Sequence, residues 1–255
     1  MVEIAISLAV IGIALVAIIG VLPIGMNTQR DNREETIINQ DATVFIEAIR
    51  GGARGLDDLT NYVYAITNFG GQYKNGVLTL SPPPIGYANY PSFLTNGANI
   101  VGLLSMPEFT DPNNYDAPIE NPSSFNFYNS NHIVAYVRSI SGPAVEKPPQ
   151  PNDSIIREDS FGYRVLCVNA PVATDTNIST LPTNNPVYIY NQQLTANLHE
   201  LRLTFLWPQQ PNGNLGPGRQ TFRTMVAGQI MQTNYYNNGS PWLYFYQSQS
   251  FVNTP

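Results

Sequence analysis

Residues 1–26 read MVEIAISLAVIGIALVAIIGVLPIGM, an apolar run whose only ionisable side chain, Glu3, stands almost at its start. About 20 such residues in a helix cross a bilayer, and a carboxylate inside the span is costly unless a partner meets it. Something must neutralise Glu3. Its place at the end of the run points to a partner that is also terminal, an α-amino group of this chain or of a neighbour. The run has no Lys or Arg before its core and no small-residue cleavage site after it, which separates it from a secretory signal. A plain single-pass anchor accounts for the length but not for the acid.

Beyond Met26 the sequence turns polar, with Arg30, Asp31, Arg33, Glu34 and Glu35 interleaved in sign. Ile38, Ala42, Phe45, Ile46 and Ile49 then recur on one helical face. The helix is expected to continue to the Gly51-Gly52 pair, a stop that needs no side chain at positive φ. Some 50 residues at 1.5 Å each make a rod of about 75 Å. The chain therefore divides into an apolar half of the helix, 1–26, an amphipathic half, 27–52, and a head, 53–255. Pro23, between Gly20 and Gly25, interrupts the apolar half, where a proline costs about 3 kcal/mol.

Met1, Val2 and Glu3 match the last three places of Phe, Ser or Thr, Met or Leu, an aliphatic residue and Glu. With that pattern type IV pilins and the pseudopilins of type II secretion systems begin, and residues 1 to about 50 resemble the N-terminal helix of that family. In the family a prepilin peptidase cuts after a glycine and the new N-terminal residue is methylated. The resemblance thus implies a leader and two further residues ahead of Met1. It also implies that Glu3 pairs with the N-terminal amine of a neighbouring subunit as the helices bundle. Gly20, Pro23 and Gly25 fall where pilin helices carry breakers, so that the turn before the proline unwinds as the subunit leaves the bilayer. The alternative for Pro23 is a simple kink.

The head reads as β-rich. Candidate strands are His132 to Ile140, Phe161 to Val168, Pro186 to Tyr190, Leu198 to Trp207, Thr221 to Ile230 and Trp242 to Tyr246, all rich in Val, Tyr, Phe and Leu. PQQPNGNLGPGRQ, 208–220, is dense in turn residues and is expected to close a hairpin. Eight prolines between Ser81 and Asn131 exclude central strands there and predict a long irregular surface loop or an inserted sub-structure. VEKPPQPND, 145–153, reads as a second loop. The expected fold is α+β, a long N-terminal hydrophobic helix packed on an antiparallel β-sheet domain, which is also the plan the pilin resemblance implies.

Composition agrees with an extracytoplasmic structural chain. Charged residues are 12% of 255, the net charge is -6 and the pI is about 4.8. Twelve Lys plus Arg scattered singly along an acidic chain offer no basic stripe, which disfavours nucleic acid. The single Cys167 excludes an intrachain disulfide, a departure from the many pilins that close a C-terminal loop with one.

Catalytic constellations are weak. His132 and His199 are far apart and fit no metal-ligand spacing, which favours structural roles. No nucleophile-elbow, Walker or dinucleotide motif occurs. DPNNYD, Asp111 to Asp116, lacks the Gly and terminal Glu of a calcium loop. Asp57-Asp58 and Glu158-Asp159 read as solvated pairs, and Asn152, Asn177 and Asn238 open short sequons. No catalytic residue, metal or cofactor is expected.

Two function classes remain. One is a filament subunit, implied by the pilin resemblance, with Glu3, Gly20, Pro23 and Gly25 as assembly residues. Its partners are copies of itself, prepilin peptidase, the inner-membrane assembly machinery and, before assembly, the membrane; its destination is the bacterial surface. A secretion pseudopilin is a variant of the same class. The other is a membrane-anchored binding module or adhesin whose Trp242, Tyr244 and Tyr246 stack on sugars. Glu3 favours the first.

Overall fold

The computed structural model describes residues 2–52, 57–87, 94–119, 122, 125–142, 161–172, 181–210, 212–234 and 242–251. The loop at 145–153, Glu158, Asp159 and the three sequons lie outside the described residues. The chain falls into two compact units, Met1–Gln40 and Asp41–Pro255.

Helix α1 runs Val2–Gly51. It stops where the glycine pair predicts, with Gly52 at a φ of 58° and its N–H donating to the Ile49 carbonyl at 3.3 Å. Ile38, Ala42, Phe45 and Ile49 are fully buried, whereas Ile46 is half-buried and Asp41 and Ala48 are buried in its stead. The buried stripe is thus turned slightly from the expected one.

In the second unit the elements are α2 (Leu59–Tyr62), β1 (Val63–Lys74), β2 (Val77–Leu80), β3 (Ile85–Gly86), α3 (Gly97–Leu104), β4 (Phe109–Asp111), β5 (Ala117–Pro118) and β6 (Phe127–Arg138), and then β7 (Gly162–Pro171), α4 (Pro186–Asn197), β8 (Leu198–Gln209), β9 (Leu215–Ala227), β10 (Gln229–Asn234) and β11 (Trp242–Gln247). The main sheet has the order β2-β1-β6-β7-β8-β9 with antiparallel neighbours, while β10 and β11 pair separately. This is the large antiparallel sheet and long helix of an α+β fold.

Alternation sets its two faces. Ile66, Ala135, Val165 and Phe205 form one cross-strand row and are all inaccessible to solvent. Phe45 of α1 meets Phe205 edge-on at 6.3 Å, and Phe205 in turn packs on Tyr163 and Phe222 at 5.5 Å each. Full burial of one such ring stabilises by about 1.5–3 kcal/mol. The core therefore lies between the last turns of α1 and this face of the sheet.

The structure corrects several expectations. Pro186 to Tyr190 opens helix α4 rather than a strand, because Asn185 caps it, accepting from the Val187 N–H at 2.9 Å, and Pro186 occupies the first turn. The expected strand Thr221 to Ile230 is two strands, split at Gly228, whose φ is 123°. The hairpin holds, but pairing persists out to Gln209 and Leu215, so most of 208–220 is strand. The proline-rich stretch 81–131 carries real elements, α3 among them, capped by Asn96, which accepts from the Ala98 N–H at 2.8 Å.

β4 enters where β6 and β7 part. Phe109 and Thr110 pair with Ser130 and Asn129, while the Glu108 N–H donates to the Asn169 carbonyl at 2.8 Å. Buried amides hold the wedge: Asn68 donates to Asn131 at 3.0 Å, Asn131 to Thr110 Oγ1 at 3.1 Å, and Asn169 to the Ser105 carbonyl at 2.8 Å.

Candidate functional site

Glu3, Gly20, Pro23 and Gly25 all lie on α1 within the first unit. The large apolar side chains described there, from Val2 to Met26, are each between 53% and 73% exposed. By length and composition this helix could cross a membrane. Glu3 is exposed, and its backbone carbonyl accepts from the Ser7 hydroxyl at 2.8 Å. A Cβ added at Gly20 or Gly25 would meet nothing within 4 Å, so packing inside this chain does not require glycine at either place. The helix passes through Pro23 unbroken, although proline has no N–H to give the Ile19 carbonyl.

A second carboxylate, missed in the sequence, is the best-built polar centre of the head. Asp41 is wholly buried. One carboxylate oxygen accepts from the Ile140 N–H at 2.9 Å and the Tyr163 hydroxyl at 2.7 Å; the other accepts from the Ser141 N–H at 2.8 Å and from the Ser141 hydroxyl. Burial, followed by the Asp41 charge and its hydrogen bond, pushes the Tyr163 phenol well above its ordinary range, so it remains a donor. Hydrogen bonds from four groups take the place of the lost water. The signal was legible: Asp41 sits between Ile38 and Ala42, an acid on the apolar face of an amphipathic helix. That arrangement ties α1 to the end of β6 and to β7; it is a structural latch with no substrate-facing side.

The other candidates resolve into structure. His199 is buried against Tyr246, ring centroids 5.5 Å apart, and its Nε2 has no hydrogen-bond partner. His132 is half-buried, and its N–H donates to Asn68 Oδ1 at 3.3 Å. Tyr244 and Tyr246 are interior, with hydroxyls donating to the Asp116 carbonyl at 2.7 Å and to Asn169 Oδ1. Trp242 packs edge-on to Tyr115. Two of the three aromatic side chains that the alternative reading would stack on sugars are therefore buried rather than on a surface platform. In DPNNYD, Asp111 accepts from the Asn113 N–H at 2.9 Å and Asp116 from the Asn129 amide at 3.2 Å. Burial raises the Asp116 carboxyl, against the Asn129 bond and with the charge of Asp111. No group of three or more His, Cys, Asp or Glu converges among the described residues. Cys167 is buried, and burial raises its thiol above the usual range. A pocket of about 340 Å³ beside Gly51 and Gly52 is lined by residues 245–249 and holds no acid, histidine or thiol.

No protein-family model, curated protein or solved structure matches this chain.

Proposed function

We propose that this chain is a structural subunit of an extracellular pilus-like filament, a type IV pilin or pilin-like protein assembled through the apolar half of α1. The observation that carries the reading is the apolar half of α1, residues 1–26, whose large apolar side chains stand exposed and whose one acid, Glu3, stands at its start. A helix apolar all round calls for lipid or for other helices. A lone anchored receptor gains nothing from the acid, whereas a helix bundle gains a registry element when the carboxylate of one copy meets the terminal amine of the next. Before assembly the same segment would reside in the inner membrane, where prepilin peptidase and the assembly machinery act. Afterwards it forms the filament core, with the head outside.

The competing anchored sugar-binder loses its motivation, since two of its three aromatic side chains are interior. A secretion pseudopilus shares the architecture, and filament length separates the two.

Electron microscopy of filaments sheared from source cells, with mass spectrometry of their main component, tests the reading. The chain should dominate the filaments, and Glu3→Ala should leave the head folded and the subunit membrane-inserted while sharply reducing incorporation. Normal filament yield from Glu3→Ala cells, or filaments that lack this chain, would overturn it.

A further inference from the structure

The chain is acidic, yet five of its twelve Lys plus Arg, namely Arg138, Arg164, Arg202, Arg219 and Arg223, lie on the sheet face turned away from Phe45 and Asp41. Residues scattered singly in the sequence are gathered by strand register. Two of the five are answered by acids: Arg202 is 3.4 Å from Glu108, and Arg223 is 3.9 Å from Glu200. Arg164 and Arg219 have no carboxylate partner among the described residues. They share the cross-strand row Tyr136–Arg164–Leu206–Arg219, which sets them two strands, about 10 Å, apart.

Arg164 is fixed. Its guanidinium lies over Tyr136, 4.9 Å from the ring centroid, and Nη2 donates to the Gly213 carbonyl at 2.5 Å. Alongside, Arg138 sits 4.6 Å over the ring of Tyr64, whose hydroxyl accepts from the Gln209 amide at 2.8 Å. Arg164 Nε and Gln209 Oε1 are enclosed without a hydrogen-bond partner.

We propose that this face binds a carboxylate-bearing polysaccharide, a polyuronate, with Arg164 and Arg219 each taking one carboxylate. Charge complementarity selects the class: an immobilised guanidinium matches a carboxylate edge bidentately, and the phenol and amide groups beside it suit sugar hydroxyls. The separation of the two arginines is that of alternate residues in an extended uronic-acid chain. Single-stranded nucleic acid fits worse, because the rings of Tyr64 and Tyr136 each carry a guanidinium instead of standing bare for base stacking. The site uses only the head and does not depend on filament assembly.

Calorimetric titration of the full chain in an uncharged detergent tests this, with oligoguluronate as the probe and neutral dextran and oligothymidylate as controls. Oligoguluronate should bind saturably and more weakly as salt rises, and the controls should not bind. Arg219 is exposed and its side chain has no hydrogen bond or ion pair among the described residues, so Arg219→Gln should fold normally and bind roughly tenfold more weakly. Arg164→Gln combined with Arg219→Gln should abolish binding, and Arg223→Gln, whose guanidinium already faces Glu200, should leave it unchanged. Absent oligoguluronate binding, undiminished binding by Arg219→Gln, or equal affinity for oligothymidylate overturns the proposal. So does an Arg219→Gln effect confined to self-association in sedimentation, which would assign the face to a neighbouring copy. Filament yield is untouched by any of these results, so the two readings fail separately.

Discussion

The Tyr163 hydroxyl donates to the Asp41 carboxylate at 2.7 Å, and neither side chain reaches solvent. Tyr163→Phe keeps the ring against Phe205 and removes one bond to a charged acceptor, which should cost about 1.5–3 kcal/mol. Asp41→Ala leaves the Ile140 and Ser141 N–H groups and the Tyr163 hydroxyl without their acceptor and should cost about 3 kcal/mol or more. Denaturant midpoints measure both. If Asp41→Ala were no worse than Tyr163→Phe, the backbone donors would not need the carboxylate.

Acid should weaken the head through His199. Burial lowers its pKa to about 4, partly offset by a hydrogen bond to the Ala196 backbone, whereas the unfolded value is about 6.5. Between those values the unfolded chain binds the proton and the folded chain refuses it. Stability is therefore full above about pH 6.5 and falls by up to about 3 kcal/mol as pH drops toward 4. His199→Gln pays its own packing cost at every pH but should flatten this slope. Melting temperatures of both proteins across the window test it; parallel curves would exclude His199 as the source.

α3 meets β11 at Gly102, where an added Cβ would stand 2.8 Å from Phe245 Cζ and 2.9 Å from Leu243 Cβ. In an exposed helix Gly→Ala gains about 0.5–1 kcal/mol. Here the clash should win, for a net loss of about 1–3 kcal/mol. A stabilised Gly102→Ala protein would show that α3 and β11 are farther apart than this.

Removing residues 1–26 discards nearly all of the exposed apolar surface of α1 and keeps Ala42, Phe45 and Ile49 on the sheet. The product should be soluble, monomeric in sedimentation and cooperative in unfolding. Aggregation of that fragment would mean that the apolar half supports the head as well as assembly.

In the single chain α1 is continuous across Pro23. If the proposed filament uses the proline as a melting point, residues 16–23 should be drawn out beyond the helical 1.5 Å per residue in a filament map. A merely bent helix there would leave Gly20 and Gly25 as close-packing positions between helices.

Much of this fold could be read beforehand because its strongest signals are local. The apolar run, the face Ala42–Phe45–Ile49, the glycine stop and the alternation in β6, β7 and β8 all depend on near neighbours. The failures have local causes too. Val187, Tyr188, Ile189 and Tyr190 favour a strand by propensity, but the Asn185-Pro186 cap starts a helix first. The density of prolines in 81–131 hid α3 and the first half of β6, although none of the eight falls within either element. Partnerships across the chain were out of reach: nothing near Asp41 announces Ile140, Ser141 and Tyr163, and five arginines spread over four strands become a patch only once register is known. The fate of Tyr244 and Tyr246 likewise turned on Asp116 and Asn169, far off in sequence.

The latch at Asp41 also sets an order of events during synthesis. Its donors lie 99, 100 and 122 residues downstream. At ribosomal speeds the acid therefore leaves the tunnel on the order of 10 s before its last partner exists. Contacts of such long range form late and slowly. A nascent chain ending before Ile140 carries a charge on the apolar face of its helix with none of its three latch residues to receive it, which keeps that face in water until the sheet that will cover it has been made.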